Sequence, residues 1–304
     1  MPNDPRCPSR RELLSLLAAG ALVNTAPVRS QSKHPWGVQL YTVRDLLGDR
    51  AAETLQAIAA IGYKELEILR GDLERVVPLA RDLGLSPVSV HIEAPLVTGD
   101  WAHWRPPGAP ARKDLTLQRA LEQIRASGAR YAVVAYLMPG ERGKDAAWYQ
   151  RFADTMNRAG EDAKAAGITL AYHNHGFEFE KLPGGRPLDV LAERLDPALV
   201  TLEIDVFWVS ITGADPVSVL GQFARRVSLV HLKDKARGAP AETDESKVAR
   251  ATFVEVGSGS LDFGAIVKAA EAAGVRHFFV EQDYTPGDPL ASLRKSYAHL
   301  QQLA

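Results

Sequence analysis

Residues 200–233, VTLEIDVFWVSITGADPVSVLGQFARRVSLVHLK, contain the unit from which the fold is read. An apolar run, Val200–Trp208, gives way to a segment with helical spacing, Val217–Arg225, and then to a second apolar run, Val227–Lys233. Two short apolar strands joined through one helix form a parallel pair, because parallel neighbours need a crossover between them. In both runs the polar residues collect at the C-terminal end: Glu203 and Asp205 in the first, His231 and Lys233 in the second.

The same alternation extends in both directions. Further strand-like runs are Gly37–Val43, Glu65–Leu69, Val88–Ile92, Tyr131–Leu137, Ile168–His175 and His277–Asp283. Between them lie helical segments such as Ala51–Ile61, Leu73–Leu83, Leu115–Ser127, Trp148–Ala166, Leu188–Leu195 and Phe263–Ala273. Gly62, Gly84, Gly128, Gly167 and Gly274 stand just before strands, where glycine closes a helix in the left-handed conformation. Eight strands alternating with helices predict an α/β protein, a single (β/α)8 TIM barrel over residues 31–304. A doubly wound open sheet is the competing topology, but no glycine fingerprint opens its first unit. Gly257-Ser258-Gly259-Ser260 comes late and follows a loop, so it carries little weight as a phosphate cradle.

The first thirty residues read differently. Ser9-Arg10-Arg11 precedes an apolar run, Leu13–Val23, that is too short to span a bilayer. This is the pattern of an export signal of the twin-arginine type, which predicts a periplasmic or secreted bacterial protein with no membrane attachment after cleavage. Removing residues 1–30 takes away four arginines and two acids, leaving 32 basic against 35 acidic residues, about −3. That balance offers no electrostatic footprint for nucleic acid. Cys7, the only cysteine, falls in the leader, so zinc held by cysteines is excluded. A homo-oligomer is compatible with the sequence.

The polar residues supply the functional signal. Barrel strands turn every second side chain inward, and chemistry gathers at their C-terminal ends. Those ends carry His91, His173, His175, Asp205, His231, Lys233 and Glu281, including four of the eight histidines. Parity groups His173 and His175 with Ala171, Glu203 with Asp205, His231 and Lys233 with Leu229, and Glu281 with Phe279. Ionisable groups converging on one cavity need a compensating charge, and a divalent cation supplies it. A lone histidine is more often structural, and so is His277, which opens its strand and is placed on the opposite face. Two connections exceed what a barrel needs: Pro95–Lys113, carrying Trp101 and Trp104, and the polar Arg237–Thr252. Trp101, Trp104 and Trp208, with His91, are the expected substrate contacts, since aromatic faces pack against sugar rings.

The order of motifs resembles the sugar phosphate isomerase/epimerase superfamily, the xylose isomerase-like barrels that include ketose 3-epimerases and inosose dehydratase. GVQLYTVRD (37–45), GYKELEI (62–68), YHNHGFEF (172–179), Glu203-Ile204-Asp205, His231-Leu232-Lys233-Asp234, VGSG (256–259) with Leu261-Asp262-Phe263, and Val280-Glu281 carry the likeness. The resemblance implies one divalent metal (Mn, Mg, Co or Zn) with Asp205, His231 and Glu281 as ligands. The family's strand-five glutamate is replaced by His173, with Glu178 following in the loop, so either one completes the shell; Glu178 is favoured as a third carboxylate. The implied activity is metal-dependent sugar isomerisation, epimerisation or a related dehydratase or lyase reaction on a free or keto sugar or polyol. Glu281 or Glu178 would be the base, His173 or His175 the acid, and Lys233 the group that meets a negative oxygen. An exported sugar-binding barrel without turnover is the alternative, and a metal-dependent nuclease is disfavoured by the charge.

Overall fold

The structure is a computed structural model that describes residues 34–104 and 115–303. The export leader read from residues 1–30, and residues 105–113 of the tryptophan-bearing connection, lie outside the described residues. Eight parallel strands close a barrel in sequential order. They are β1 (Gly37–Gln39), β2 (Glu65–Leu69), β3 (Ser86–Ile92), β4 (Tyr131–Val134), β5 (Thr169–His173), β6 (Val200–Asp205), β7 (Val227–Leu232) and β8 (His277–Val280). Helices α1 (Ala51–Ile61), α2 (Leu73–Asp82), α3 (Leu117–Ser127), α4 (Ala146–Ala165), α5 (Pro187–Arg194), α6 (Val206–Ile211), α7 (Pro216–Gln222), α8 (Phe263–Ala273) and α9 (Pro289–Leu300) follow their strands. The (β/α)8 expectation holds.

Strand alternation sorts side chains into two cores. Leu66, Ile68, Val90, Val134, Tyr172, Leu202, Ile204 and Val230 belong to the large core that includes the helices. Val88, Val133, Ala171, Leu229 and Phe279 form a separate apolar floor inside the barrel. Gly37 leaves room for Phe279, whose ring a Cβ at that position would strike. The register sets His173 beside Glu203 and Asp205 beside His231, so the polar layer lies directly above this floor.

Six strands stop before their apolar runs do, and in two of them a side chain bonded to the backbone marks the end. The Gln39 carboxamide accepts the N–H of Tyr41, 2.9 Å away, and the chain turns into a 3-10 segment, Leu40–Leu46, in place of the strand expected to Val43. Asp205 accepts from the N–H groups of Phe207 and Trp208 at 2.9 and 3.0 Å, an N-cap that starts α6. Trp208 therefore stands on a helix over the mouth. His175 lies beyond β5, and Lys233 beyond β7. His277 lines up with Phe279 on the inward set, and at the bottom of the barrel its Nδ1 is 2.9 Å from Glu65. That corrects its expected face while keeping it structural. α9, capped by Asp288, lies outside the helical segments read from spacing.

The glycine loop after β7 has a structural task. Asp234 accepts from the N–H groups of Lys235, Gly257, Gly259, Ser260 and Leu261 at 2.7–3.2 Å. A Cβ at Gly259 would run into Asp234 and the Lys235 carbonyl. These amides are spent on a carboxylate, and no phosphate cradle remains. Asp234→Ala should strand several buried amides and cost about 2–4 kcal/mol of unfolding free energy in urea. An unchanged midpoint would show that the loop does not depend on this carboxylate.

Candidate metal centre

Four strand ends converge at the C-terminal mouth. Glu281 Oε2 lies 2.8 Å from His231 Nδ1, and Asp205 Oδ2 lies 3.8 Å from the same nitrogen. His173 Nε2 is also 3.8 Å from Asp205 Oδ2. Lys233 Nζ stands 3.0 Å from Asp205 Oδ2, 2.6 Å from Glu281 Oε2 and 2.9 Å from Asp283 Oδ1. Burial favours the neutral form of Glu281, but Lys233 and His231 outweigh it and hold the carboxyl below its ordinary range. Burial raises the Asp205 carboxyl, against the pull of Lys233 and His231.

A second polar layer lies beneath. Glu67 and Glu203 are fully buried. Glu67 accepts from Ser89 Oγ at 2.6 Å and Gln39 Nε2 at 3.1 Å, and forms a short contact with His231 Nε2. Glu203 Oε2 is 2.9 Å from His173 Nδ1 and 3.3 Å from His91 Nε2. Burial and the neighbouring Glu67 would raise the Glu203 carboxyl, yet the histidines bring it down to about 2. Burial keeps His173 neutral, well below its usual range. Burial opposes a charged His231 too, but Glu203 and Glu67 reverse the balance and raise it well above 6.5.

These residues fit a divalent ion. Donor atoms of Asp205, His231 and Glu281 all lie within 4.8 Å of one another. Two ligands each about 2.1 Å from one ion stand ~3–4 Å apart, which matches the separations above. Asp205 Oδ2 is buried and accepts no well-directed hydrogen bond, although Lys233 is near. Three carboxylates (Asp205, Glu281 and Asp283) against one ammonium leave two negative charges, which a divalent cation balances. The cluster could therefore hold a metal. A deeper group of His91, His173, Glu203 and His231 also meets the distance criterion.

Glu178 does not join either group. Tyr172 alternates with Ala171 and His173, so it points into the helix layer, and its hydroxyl donates to Glu178 Oε1 at 2.7 Å. The His175 N–H occupies Oε2 at 2.8 Å. Of the two residues read as the strand-five ligand, His173 belongs to the deeper group and comes within 3.8 Å of Asp205 Oδ2. Burial raises the Glu178 carboxyl to about 8.

A cavity of about 1130 Å³ opens above the cluster and is lined by His91, His173, His175, Trp208, Lys233 and Glu281. Trp104 joins its wall, with Nε1 donating to Glu141 at 2.6 Å. Trp101 lines a separate crevice beside Leu96 and Leu115, away from this cavity. The Arg237–Thr252 excursion lies over the mouth: Glu245, paired with Arg142 at 2.9 Å, faces the cavity. Sequence reasoning missed Glu67, Gln39 and Asp283, together with Tyr41 and Tyr284, two half-exposed rings at the rim. Glu67 interrupts the apolar run ELEIL, and that interruption was the available signal.

Residues 55–303 match the family described as xylose isomerase-like TIM barrel, and the chain belongs to that family. An inosose dehydratase of Geobacillus thermodenitrificans is 29% identical over 161 residues, covering 49% of this chain and 52% of that protein. The chain thus spans about half the length of the curated relatives it matches. A sugar phosphate isomerase/epimerase structure from Parabacteroides distasonis superposes with a TM-score of 0.69 at 24% identity, covering 90% of this chain and 95% of the other. A zinc-bound structure of the IolI protein gives a TM-score of 0.65 at 15% identity, covering 88% and 98%. At these identities the structural likeness establishes the fold.

Glu178 yields a test by pH. A carboxyl raised in the folded state keeps its proton where the unfolded chain has lost it, so stability falls as pH rises from the ordinary carboxylate range towards about 8. Between about pH 5 and about pH 8, wild type should lose a few kcal/mol relative to Glu178→Gln. A pH-independent difference between the two would contradict the buried, protonated carboxyl.

Proposed function

We propose that this chain is a divalent-metal-dependent enzyme that moves a proton beside the carbonyl of a free or keto sugar. Within that class, elimination of a β-leaving group is favoured over isomerisation or epimerisation. The observation that carries this choice is the end of strand β5. Epimerisation at one carbon calls for proton carriers on both faces, and the family resemblance assigns these to two glutamates. Here the position bears His173, whose Nδ1 faces Glu203, and the nearby Glu178 is tied to Tyr172. Elimination needs only one base, because the proton taken from carbon can depart on the leaving oxygen. The similarity to a relative named inosose dehydratase supports the same direction.

Asp205, His231, Glu281 and His173 would hold the ion, a shell of two carboxylates and two imidazoles that suits Mn²⁺, Co²⁺ or Zn²⁺ better than Mg²⁺. When bound, such an ion polarises a carbonyl and stabilises negative charge developing on its oxygen. Glu281 Oε2 carries the contacts to His231 and Lys233, and Glu281 is the base for the carbon-bound proton. Lys233, braced by Asp283, meets the oxygen that gains charge. His175 is a neutral imidazole, kept so by burial and by Lys233, and its Nδ1 is buried without a partner. It is the hydrogen-bond partner of the departing oxygen. His91, Trp104 and Trp208 line the wall against which the sugar packs. Of the cations lining the cavity, Arg70, Lys233 and Lys247 are paired with acids and Arg250 lies over the Tyr284 ring, which supports a substrate without phosphate.

Mass spectrometry of the purified protein should find near one metal per wild-type chain and none in Asp205→Ala. With keto sugars in deuterated water, NMR should show loss of the proton beside the carbonyl and formation of an unsaturated product; a pure epimer would overturn the elimination reading. Glu281→Gln should lose metal and turnover together. His175→Ala should keep the metal while turnover falls about 10²–10⁴-fold. Sugar binding without any product would favour the non-catalytic barrel.

Export is part of the same proposal, supported by the paired arginines and the apolar run Leu13–Val23. Cell fractionation should find the protein outside the cytoplasm, and Arg10→Lys with Arg11→Lys should retain it there. An unaltered distribution of the double variant would remove the twin-arginine assignment.

A further inference from the structure

Glu67 and Glu203 are completely buried and do not line the mouth cavity, so neither touches a sugar held there. Two carboxylates at that depth are costly unless each is matched by donors. Both are matched chiefly by imidazole. Glu203 Oε2 faces His173 Nδ1 at 2.9 Å, and Glu67 Oε2 makes the short contact with His231 Nε2. Glu67 is itself anchored by Ser89 and Gln39, and the Gln39 amide is oriented by the Tyr41 N–H that its oxygen accepts.

A neutral imidazole has one N–H and one lone pair, so a carboxylate fixed on one nitrogen turns the lone pair to the other. In His173 the free nitrogen is Nε2, 3.8 Å from Asp205 Oδ2. In His231, Glu67 holds Nε2 and Nδ1 faces the mouth, 3.8 Å from Asp205 Oδ2 and 2.8 Å from Glu281, where an ion would displace the proton shared with Glu281. The two rings thus turn opposite nitrogens to the mouth, with Glu203 on Nδ1 of His173 and Glu67 on Nε2 of His231, where Glu203 also stands 3.4 Å away.

We propose that Glu203 and Glu67 are positioning residues that fix His173 as the Nδ1–H tautomer and His231 as the Nε2–H tautomer. One lone pair from each ring is thereby aimed at the metal position beside Asp205 and Glu281. This inference rests on the metal-dependent reading above. It assigns the deep group of His91, His173, Glu203 and His231 to the support of one ion, not to the binding of a second. A ligating histidine whose other nitrogen is held by a carboxylate binds more tightly, and loss of such a partner typically costs 10–100-fold in affinity. Glutamine is nearly isosteric but can present an N–H to the ring, which would put the proton on the nitrogen meant for the metal.

The test measures Zn²⁺ dissociation constants by chelator competition for wild type, Glu203→Gln and Glu67→Gln. Thermal unfolding of each variant and ¹⁵N NMR of the histidine rings accompany it. Each variant should bind Zn²⁺ about 10–100-fold more weakly. In Zn²⁺-loaded wild type, the rings should show His173 as Nδ1–H and His231 as Nε2–H, a signature that a merely structural carboxylate would not set. Variants that fold with wild-type affinity would overturn the inference while leaving the metal reading intact. If the variants fail to fold, the wild-type ring spectra decide, and the opposite tautomers overturn it. Two tightly bound ions per wild-type chain would make Glu203 a ligand and overturn it. A wild-type chain that binds no ion would overturn both readings.

Discussion

Carboxylates packed inside an apolar barrel are the constraint on which the rest of this structure depends. Glu67, Glu203, Asp205 and Glu281 lie above a floor of Val133, Ala171, Leu229 and Phe279, where an unmatched charge would cost several kcal/mol. His91, His173, His231 and Lys233 match them, each within reach of two or more carboxylates. The match is complete in the lower layer and incomplete in the upper one. There Asp205, Glu281 and Asp283 share the Lys233 ammonium, with His231 beside Glu281, and the cation we propose would balance the charge that remains.

The fold supplies this arrangement through register. Because β5, β6 and β7 pair in parallel, His173 falls beside Glu203, and Asp205 beside His231, without any help from loops. Rigid strands hold the ionisable groups, and short caps release the chain immediately above them. Asp205 serves both purposes: Oδ1 caps α6, which carries Trp208 over the cavity, and Oδ2 faces the centre beside Lys233. Substitution of Asp205 therefore disturbs the cavity wall as well as the charge.

Much of this was legible in the residues. Alternation by two identified the inward set, and the C-terminal positions of Asp205, His231 and Glu281 in their runs marked the mouth. What parity could not convey was where each strand stops, because that depends on side chains bonding to backbone two or three residues on, as Gln39 and Asp205 do. His175 and Trp208 were therefore read as strand residues although they sit on a loop and a helix. Glu178 was drawn to the centre by its charge, but Tyr172, pointing the opposite way from His173, holds it in the helix layer. Glu67 lay in a strand that was read correctly, yet its partners come from β1, β3 and β7, a coincidence that no local pattern displays.

The most direct measurement is X-ray absorption at the metal edge of the zinc- or cobalt-loaded protein, which counts imidazole ligands through their outer-ring scattering. Coordination by Asp205, His231, Glu281 and His173 requires two imidazoles with oxygen donors completing the shell. A single imidazole in an oxygen-dominated shell would remove His173 from the centre. A shell without imidazole would place the ion elsewhere and contradict the mouth of the barrel as its site.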